Sequence, residues 1–336
     1  MTEQHRIIES TPLLSPNGHL AARGYATKML IEYNRGRAKK NPFNLKEWNF
    51  YQVICGDYVL QMTMGHLSYI HSVSFALIHL PTGKKREMSQ MKLFAPLSLD
   101  EHPERPSELH YESTSFTMDF IVTNALRILR VKSTDKSKHH VDIEIVFQND
   151  SENEKMVIAT PFEKPHQFYL NYKENYYTCT GYVAWGEERI SFDGGTGLID
   201  WGRGIWPYRH EWYWGNLSAN LDGVPFGLNI GWGFGDLSAA TENMYFWNKR
   251  AYKVGVLKVE HEESDHMKPW TLNDEDGNIH LVFTPFFDNY TQNKLLVVDT
   301  HCDQLFGTFD GYIITDEGKK TFEGLVAFIE HAVNRW

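Results

Sequence analysis

Residues 197–216 gather side chains that can move protons and hold charge, reading Gly-Leu-Ile-Asp-Trp-Gly-Arg-Gly-Ile-Trp-Pro-Tyr-Arg-His-Glu-Trp-Tyr-Trp-Gly-Asn. Four of the chain's 10 tryptophans fall here. If residues 210–216 are extended, His210, Trp212, Trp214 and Asn216 share one face, and Glu211 and Tyr213 share the other. Gly202 and Gly204 bracket Arg203, which signals a backbone approach too close for a Cβ or a positive φ. Pro207 marks 204–208 as a turn or rigid loop rather than central strand. Candidates for proton transfer are Asp200, Glu242 and His210. Trp206, Tyr208, Trp212 and Trp214 offer aromatic surface, Arg203 and Arg209 offer cations, and Asn216, Asn229 and Asn243 offer amides. The functional reading is an aromatic-lined cleft with charged groups directed into it. The plain alternative is a barrel core of tryptophans under stacked arginines, with Asp200 and Arg203 as a buried ion pair joining two sheets. Glu242 and Asn243, at the start of a further strand, either face the same cleft or cap a turn.

Other motifs carry less. The glycine-rich run 226–235 does not lie between a strand and a helix, so it reads as a closely packed strand and not a nucleotide loop. The 16 histidines include His139-His140 and the pair His261 and His266, without HExxH or facial-triad spacing. No metal ion or other cofactor is expected on spacing; a site assembled from distant segments stays open. No GxSxG elbow or recognisable cysteine nucleophile occurs.

The elements that must position these residues are mostly strands. Alternation of polar and apolar residues over 58–64, 69–78, 116–122 and 141–147, with turn signals such as Pro81-Thr-Gly83, Asp193-Gly-Gly195 and Asp222-Gly223, indicates an antiparallel sandwich or barrel system. Residues 124–131 are ambiguous, and their neighbours favour a meander. Aromatics at 14% suit sheets and aromatic-lined pockets. Two helical candidates stand against this: 44–48 before the first barrel strand, and the tail 324–336, whose Leu325, Phe328, Ile329, Ala332, Val333 and Trp336 recur at helical spacing, and which reads equally as a last strand finishing in one helical turn. Glycines thicken between 182 and 197, which suggests two similar β-halves, 1–190 and 191–336, in one compact unit.

The chain has 336 residues, 42% apolar and 23% charged, with a formal net charge of -10. This is a folded composition, and the acidic balance disfavours nucleic acid. Three cysteines, Cys55, Cys179 and Cys302, are too sparse for a disulfide framework. The N-terminus lacks the apolar core of a secretory signal, and no uninterrupted apolar run is long enough to span a bilayer. A cytoplasmic location and no integral membrane segment are expected.

Leu198-Ile-Asp-Trp-Gly-Arg-Gly-Ile-Trp-Pro-Tyr-Arg209, Trp212-Tyr-Trp-Gly215, Asn229-Ile-Gly231 and Thr241-Glu-Asn243 resemble the signature of the DUF2804 family. Gly24-Tyr25, Tyr33-Asn34 and Leu45-Lys-Glu-Trp48 resemble its N-terminal block; Gln304-Leu-Phe-Gly-Thr-Phe-Asp-Gly311 and Trp336 resemble its closing part. The resemblance spans almost the whole chain. It implies relation to the AttH and carotenoid 1,2-hydratase group, hence an all-β fold of two lipocalin-like antiparallel β-barrels packed together with few short helices. It supplies no established reaction, and no hydratase acid residue carries over position by position.

Two functions follow as expectations. The first is an enzyme acting on a hydrophobic, isoprenoid- or lipid-like small molecule by acid-initiated hydration or cyclisation, with Asp200 or Glu242 as acid and Trp206, Trp212 and Trp214 facing the carbocation. Arginine beside Asp200 would hold it ionised, so an Asp200–Arg203 pair would make Glu242 the better acid. The second is a non-catalytic carrier whose arginines anchor a hydrophobic or amphipathic anionic ligand. Carbohydrate processing and a purely structural role rank below both.

Overall fold

The computed structural model describes residues 4–41, 43–95, 97–133, 140–295 and 298–335; His139 and Trp336 lie outside them. The fold is all-β, 65% strand and 2% helix, in two curled antiparallel half-barrel sheets. Among the described residues the helical part is two short turns at Arg35–Arg37 and Leu80–Thr82. None of the described helices is long and apolar enough to cross a membrane.

The first sheet has 13 strands. Its main path runs from Lys84–Leu93 through Ile70–His79, Tyr58–Leu67 and Leu45–Cys55 to Gly195–Ile205. It continues through Phe168–Trp185, Val141–Gln148, Leu126–Ser133 and Phe116–Val122 to Ser107–Glu112. The second sheet has 10 strands, and at its centre Val224–Trp232, Arg209–Leu221, Gly318–Arg335 and Val298–Thr315 lie side by side. The chain crosses between sheets at 206–208, where Pro207 has no N–H to give to a ladder. Gly195–Ile205 therefore belongs to the first sheet.

Each sheet closes around its own apolar core, with Tyr51, Phe120, Phe147 and Trp201 in the first and Phe226, Trp270, Phe283 and Phe309 in the second. A third cluster, including Val59, Ile78, Leu198, Trp214, Phe306 and Phe328, packs the outer face of one sheet on that of the other. A bulge in Phe168–Trp185 between Glu174 and Tyr177 strengthens the joint. Tyr176 takes φ 54 there, and Asn175 leaves the ladder to donate to the Leu217 carbonyl at 2.8 Å and the Asn216 Oδ1 at 2.8 Å.

The helical readings of 44–48 and of the tail are both corrected, while the tail's alternative reading as a last strand holds without the final helical turn over the described residues. Residues 318–335 form one strand, Gly318–Arg335. From Leu325 onward its even positions, such as Phe328, face the layer between sheets and its odd positions, such as Ala327 and Ile329, face the second core; a register shift before Leu325 turns Phe322 into that core as well. Apolar residues on both faces of a strand mimic a helical pattern. Residues 45–48 open the strand Leu45–Cys55. Glu47 is buried and accepts from Tyr33 Oη at 2.7 Å and Arg35 Nε at 2.9 Å. Of the ambiguous 124–131 segment, residues 126–131 lie in the strand Leu126–Ser133 and 124–125 form the turn before it, as the meander neighbours imply.

Candidate active site

Strand geometry separates Asp200 from Arg203. Along Gly195–Ile205, Ile199, Trp201, Arg203 and Ile205 face the first core, and Leu198, Asp200, Gly202 and Gly204 face the second sheet. Residues three apart in a strand point to opposite faces, so the expected Asp200–Arg203 clasp does not form. Arg203 is wholly buried and pairs with Asp100, its Nη2 lying 2.5 Å from Oδ1. It also donates to the carbonyls of Trp48 at 2.6 Å and Gly202 at 2.8 Å and to Asn49 Oδ1 at 2.7 Å, and it lies 3.9 Å over Trp201. All of this binding capacity is spent inside the first barrel.

The other face opens onto a cavity of about 280 Å³ between the two sheets, near the lower end of the roughly 300–1,000 Å³ usual for small-molecule sites. Its walls are Trp48, Tyr169, Trp206, Trp212, Trp214, Trp232 and Phe234. The flanking glycines are needed for close approach: a Cβ on Gly202 would lie 2.2 Å from the Trp48 ring, and one on Gly204 would lie 2.2 Å from Trp206 Nε1.

Four charged groups line this aromatic chamber: Asp200, Glu242, Glu330 and Lys173. Lys173 lies 3.3 Å from Glu242 Oε2 and 4.1 Å over the Trp214 ring. Asp200 accepts from Asn171 Nδ2 at 2.5 Å and from the Trp48 side chain. Burial pushes its pKa up, against the opposing pull of Lys173 and these donors. Glu330 accepts from Trp212 Nε1 at 2.8 Å. Burial raises its pKa too; Trp212 opposes the rise and the Asp200 charge adds to it. Three carboxyls face one ammonium in this buried chamber, and burial disfavours the charged forms of Asp200 and Glu330.

The remaining expected residues divide by position. Trp206, Trp212, Trp214, Asp200 and Glu242 line the cavity. Asn229 stands behind it: its Oδ1 accepts from Trp214 Nε1 at 2.7 Å and its Nδ2 donates to the Glu242 carbonyl at 2.6 Å. Asn216 and Asn243 are buried too: Asn216 accepts from the Asn175 side chain at 2.8 Å, and Asn243 braces backbone, accepting from the Gly231 N–H at 2.9 Å. His210 is not among the lining residues; it stacks on Trp212 at 5.7 Å and donates from Nδ1 to the Pro207 carbonyl at 3.1 Å. Burial pushes its pKa down to about 4. Tyr208 is 49% exposed, and Arg209 is exposed and lines outer depressions instead. Arg203, Tyr208 and Arg209 thus lie off the cavity: the first by strand alternation, the others because the 206–208 crossing carries them to the surface.

Lys173 and Glu330 are cavity residues that the sequence reading missed. Tyr169, Asn171 and Lys173 alternate toward the cavity along Phe168–Trp185, a strand that drew no attention for lack of a motif. Glu330 alternates with Phe328 in the tail, and the helical reading hid that period.

Two solved structures share the fold. A candidate AttH (NE1406) from Nitrosomonas europaea superposes with a TM-score of 0.50 at 12% identity, covering 89% of this chain and 96% of that one. Kievitone hydratase from Nectria haematococca superposes with a TM-score of 0.52 at 11% identity, covering 90% of this chain and 92% of that one. No curated protein matches the sequence. Residues 4–336 match the family described as Domain of unknown function (DUF2804), and the chain belongs to that family.

Proposed function

We propose that this protein is an enzyme that hydrates or cyclises an alkene in a hydrophobic small molecule, started by proton transfer from the Asp200–Glu330 carboxyls. One observation carries the reading: two enclosed carboxyls with raised pKa values face a single aromatic cavity. A pair of this kind keeps one proton where an isolated carboxyl would have lost it. Between the two expected acids, Asp200 and Glu242, an Asp200–Arg203 pair would have favoured Glu242. With Arg203 turned away and Glu242 bound to Lys173, the donor role moves to Asp200 and Glu330.

The carboxyl gives its proton to one alkene carbon, and the π pair forms the new C–H bond. The other carbon becomes positive and is stabilised by the faces of Trp48, Trp206, Trp212 and Trp214. In hydration a water oxygen attacks that carbon, and the water's proton passes to the ionised carboxylate, restoring the one-proton pair. In cyclisation a second double bond attacks instead, and a C–H proton returns to the carboxylate. Glu242 offsets the Lys173 charge, which would otherwise repel the cation. Trp206 Nε1, buried without a hydrogen-bond partner, offers a donor to a polar atom of the guest. The hydratase named among the fold relatives supports this reading by analogy only.

The test is incubation of the full chain with isoprenoid alkenols such as geraniol and farnesol in H₂¹⁸O, followed by mass spectrometry. Hydration gives a product heavier by one labelled water; cyclisation gives an unlabelled isomer. Asp200→Asn and Glu330→Gln should each slow turnover about 10²–10⁴-fold, and turnover unchanged in both variants refutes the assignment. A carrier of neutral hydrophobic molecules is the second reading, favoured by the same aromatic walls. It predicts tight binding without turnover, and three carboxyls against one ammonium count against an anionic ligand.

A further inference from the structure

We propose that His266, Asp303 and His331 form a binding site for a divalent transition-metal ion at the edge of the second barrel's core, separate from the aromatic cavity. One ligating atom from each residue lies within 4.8 Å of the others. Asp303 and His331 are directly opposed across the Val298–Thr315 and Gly318–Arg335 strands, so their spacing is set by the sheet. His266 comes from the loop between Leu257–Glu260 and Trp270–Asp274, which can supply the movement needed to close. Around an ion with bonds of about 2.0–2.2 Å, tetrahedral ligands stand roughly 3.4 Å apart, so closure takes shifts of about an ångström.

His331 is prepared as a ligand. Its ring stacks on Tyr213 with centroids 4.1 Å apart and planes within 1°, which fixes its plane. Its Nε2 bonds Glu211 Oε1 at 2.8 Å, which places the proton on Nε2 and leaves the lone pair on Nδ1. That Nδ1 is buried and has no hydrogen-bond partner. A carboxylate holding the far nitrogen of a ligand histidine is the usual outer support of a metal site. Without an ion, an imidazole nitrogen desolvated in this way loses its hydrogen bond to water for nothing.

Two imidazoles and one carboxylate suit first-row divalent ions such as Zn²⁺ or Co²⁺, with the remaining positions left to water or another guest. Glu330 and His331 are consecutive, as are Trp212 and Tyr213. The strand Gly318–Arg335 therefore faces the aromatic cavity with Glu330 and the histidine site with His331.

The experiment uses the full chain, stripped with chelator and titrated with Co²⁺ by visible absorption and with Zn²⁺ by calorimetry. One ion per chain is expected, with the visible bands of a low-coordinate cobalt site. His266→Ala, in a loop, and the near-isosteric Asp303→Asn should each weaken binding beyond about 100-fold; Glu211→Gln, which removes only the outer support, should weaken it about 10–100-fold. His110→Ala, on the other sheet, should bind as the unaltered chain does. Thermal melting of each variant establishes that it is folded. Absence of stoichiometric binding overturns the proposal, as does binding that survives in the folded His266→Ala/Asp303→Asn double variant. Alkene turnover does not enter this readout, so the site stands or falls independently of the proposed reaction.

Discussion

The Lys173–Glu242 pair offers a sharp perturbation. The two groups lie 3.3 Å apart, with side chains 4% and 9% exposed. Glu242→Gln leaves a buried ammonium without its hydrogen-bonded partner, supported by the Trp214 face at 4.1 Å and by the Asp200 and Glu330 carboxyls across the cavity. Lys173→Met leaves three carboxyls without their cation. Removing one partner of a buried ion pair costs about 3–5 kcal/mol. Unfolding entropy of about 2.1 cal/mol/K per residue over 336 residues gives about 0.7 kcal/mol/K, so each single variant should melt about 4–7 °C lower. The double variant removes both charges and should recover about 2–3 kcal/mol relative to the sum of the singles. Recovery should be smaller at pH 5 than at pH 8, because Asp200 and Glu330, whose pKa values burial raises, take up protons as the pH falls and so relieve the Lys173→Met single variant already. The assay is urea and thermal unfolding of all four proteins at both pH values. Additivity within about 0.5 kcal/mol would refute the coupling, and with it the account of how the cavity tolerates its charge.

Two further predictions address neighbouring groups. Burial holds the Asp200 and Glu330 carboxyls above their ordinary values of 3.8 and 4.5. Each binds its proton more tightly folded than unfolded, so their contribution to stability is complete below the ordinary values and is lost as pH rises through the raised ones. Asp200→Asn and Glu330→Gln should flatten that loss in melting temperature measured from pH 4 to pH 8, and an unchanged slope would contradict the burial argument. Arg203→Met leaves Asp100 as an unpaired buried carboxylate and should lower stability by about 3–5 kcal/mol. Because Arg203 faces the first core, turnover or ligand binding by the folded fraction should be preserved. Lost function at full stability, read from a urea midpoint beside the isotope assay, would return Arg203 to the cavity.

Much of the site was legible because a strand's period is local. Alternation alone placed His210, Trp212, Trp214 and Asn216 on one face of Arg209–Leu221, and the two glycines around Arg203 marked a backbone approached too closely for a Cβ. The same period also separates Asp200 from Arg203, which proximity in sequence had suggested as a pair. Which faces then meet is not a local property. The partner of Arg203 is Asp100, in a segment far away in the chain, and Lys173 and Glu330 reach Asp200 only because the outer faces of two sheets pack together. The tail misled for the same reason: buried between two cores, it is apolar on both faces, and only the sheet pairing on each side tells such a strand from a helix. His266, Asp303 and His331 share no spacing at all; a loop and two paired strands bring them together. Sequence determined composition, strand-rich character and the faces of individual strands. Sheet closure and the packing of one barrel on the other decided which charges share a cavity, because contact between distant strands depends on register and curvature that no single segment contains.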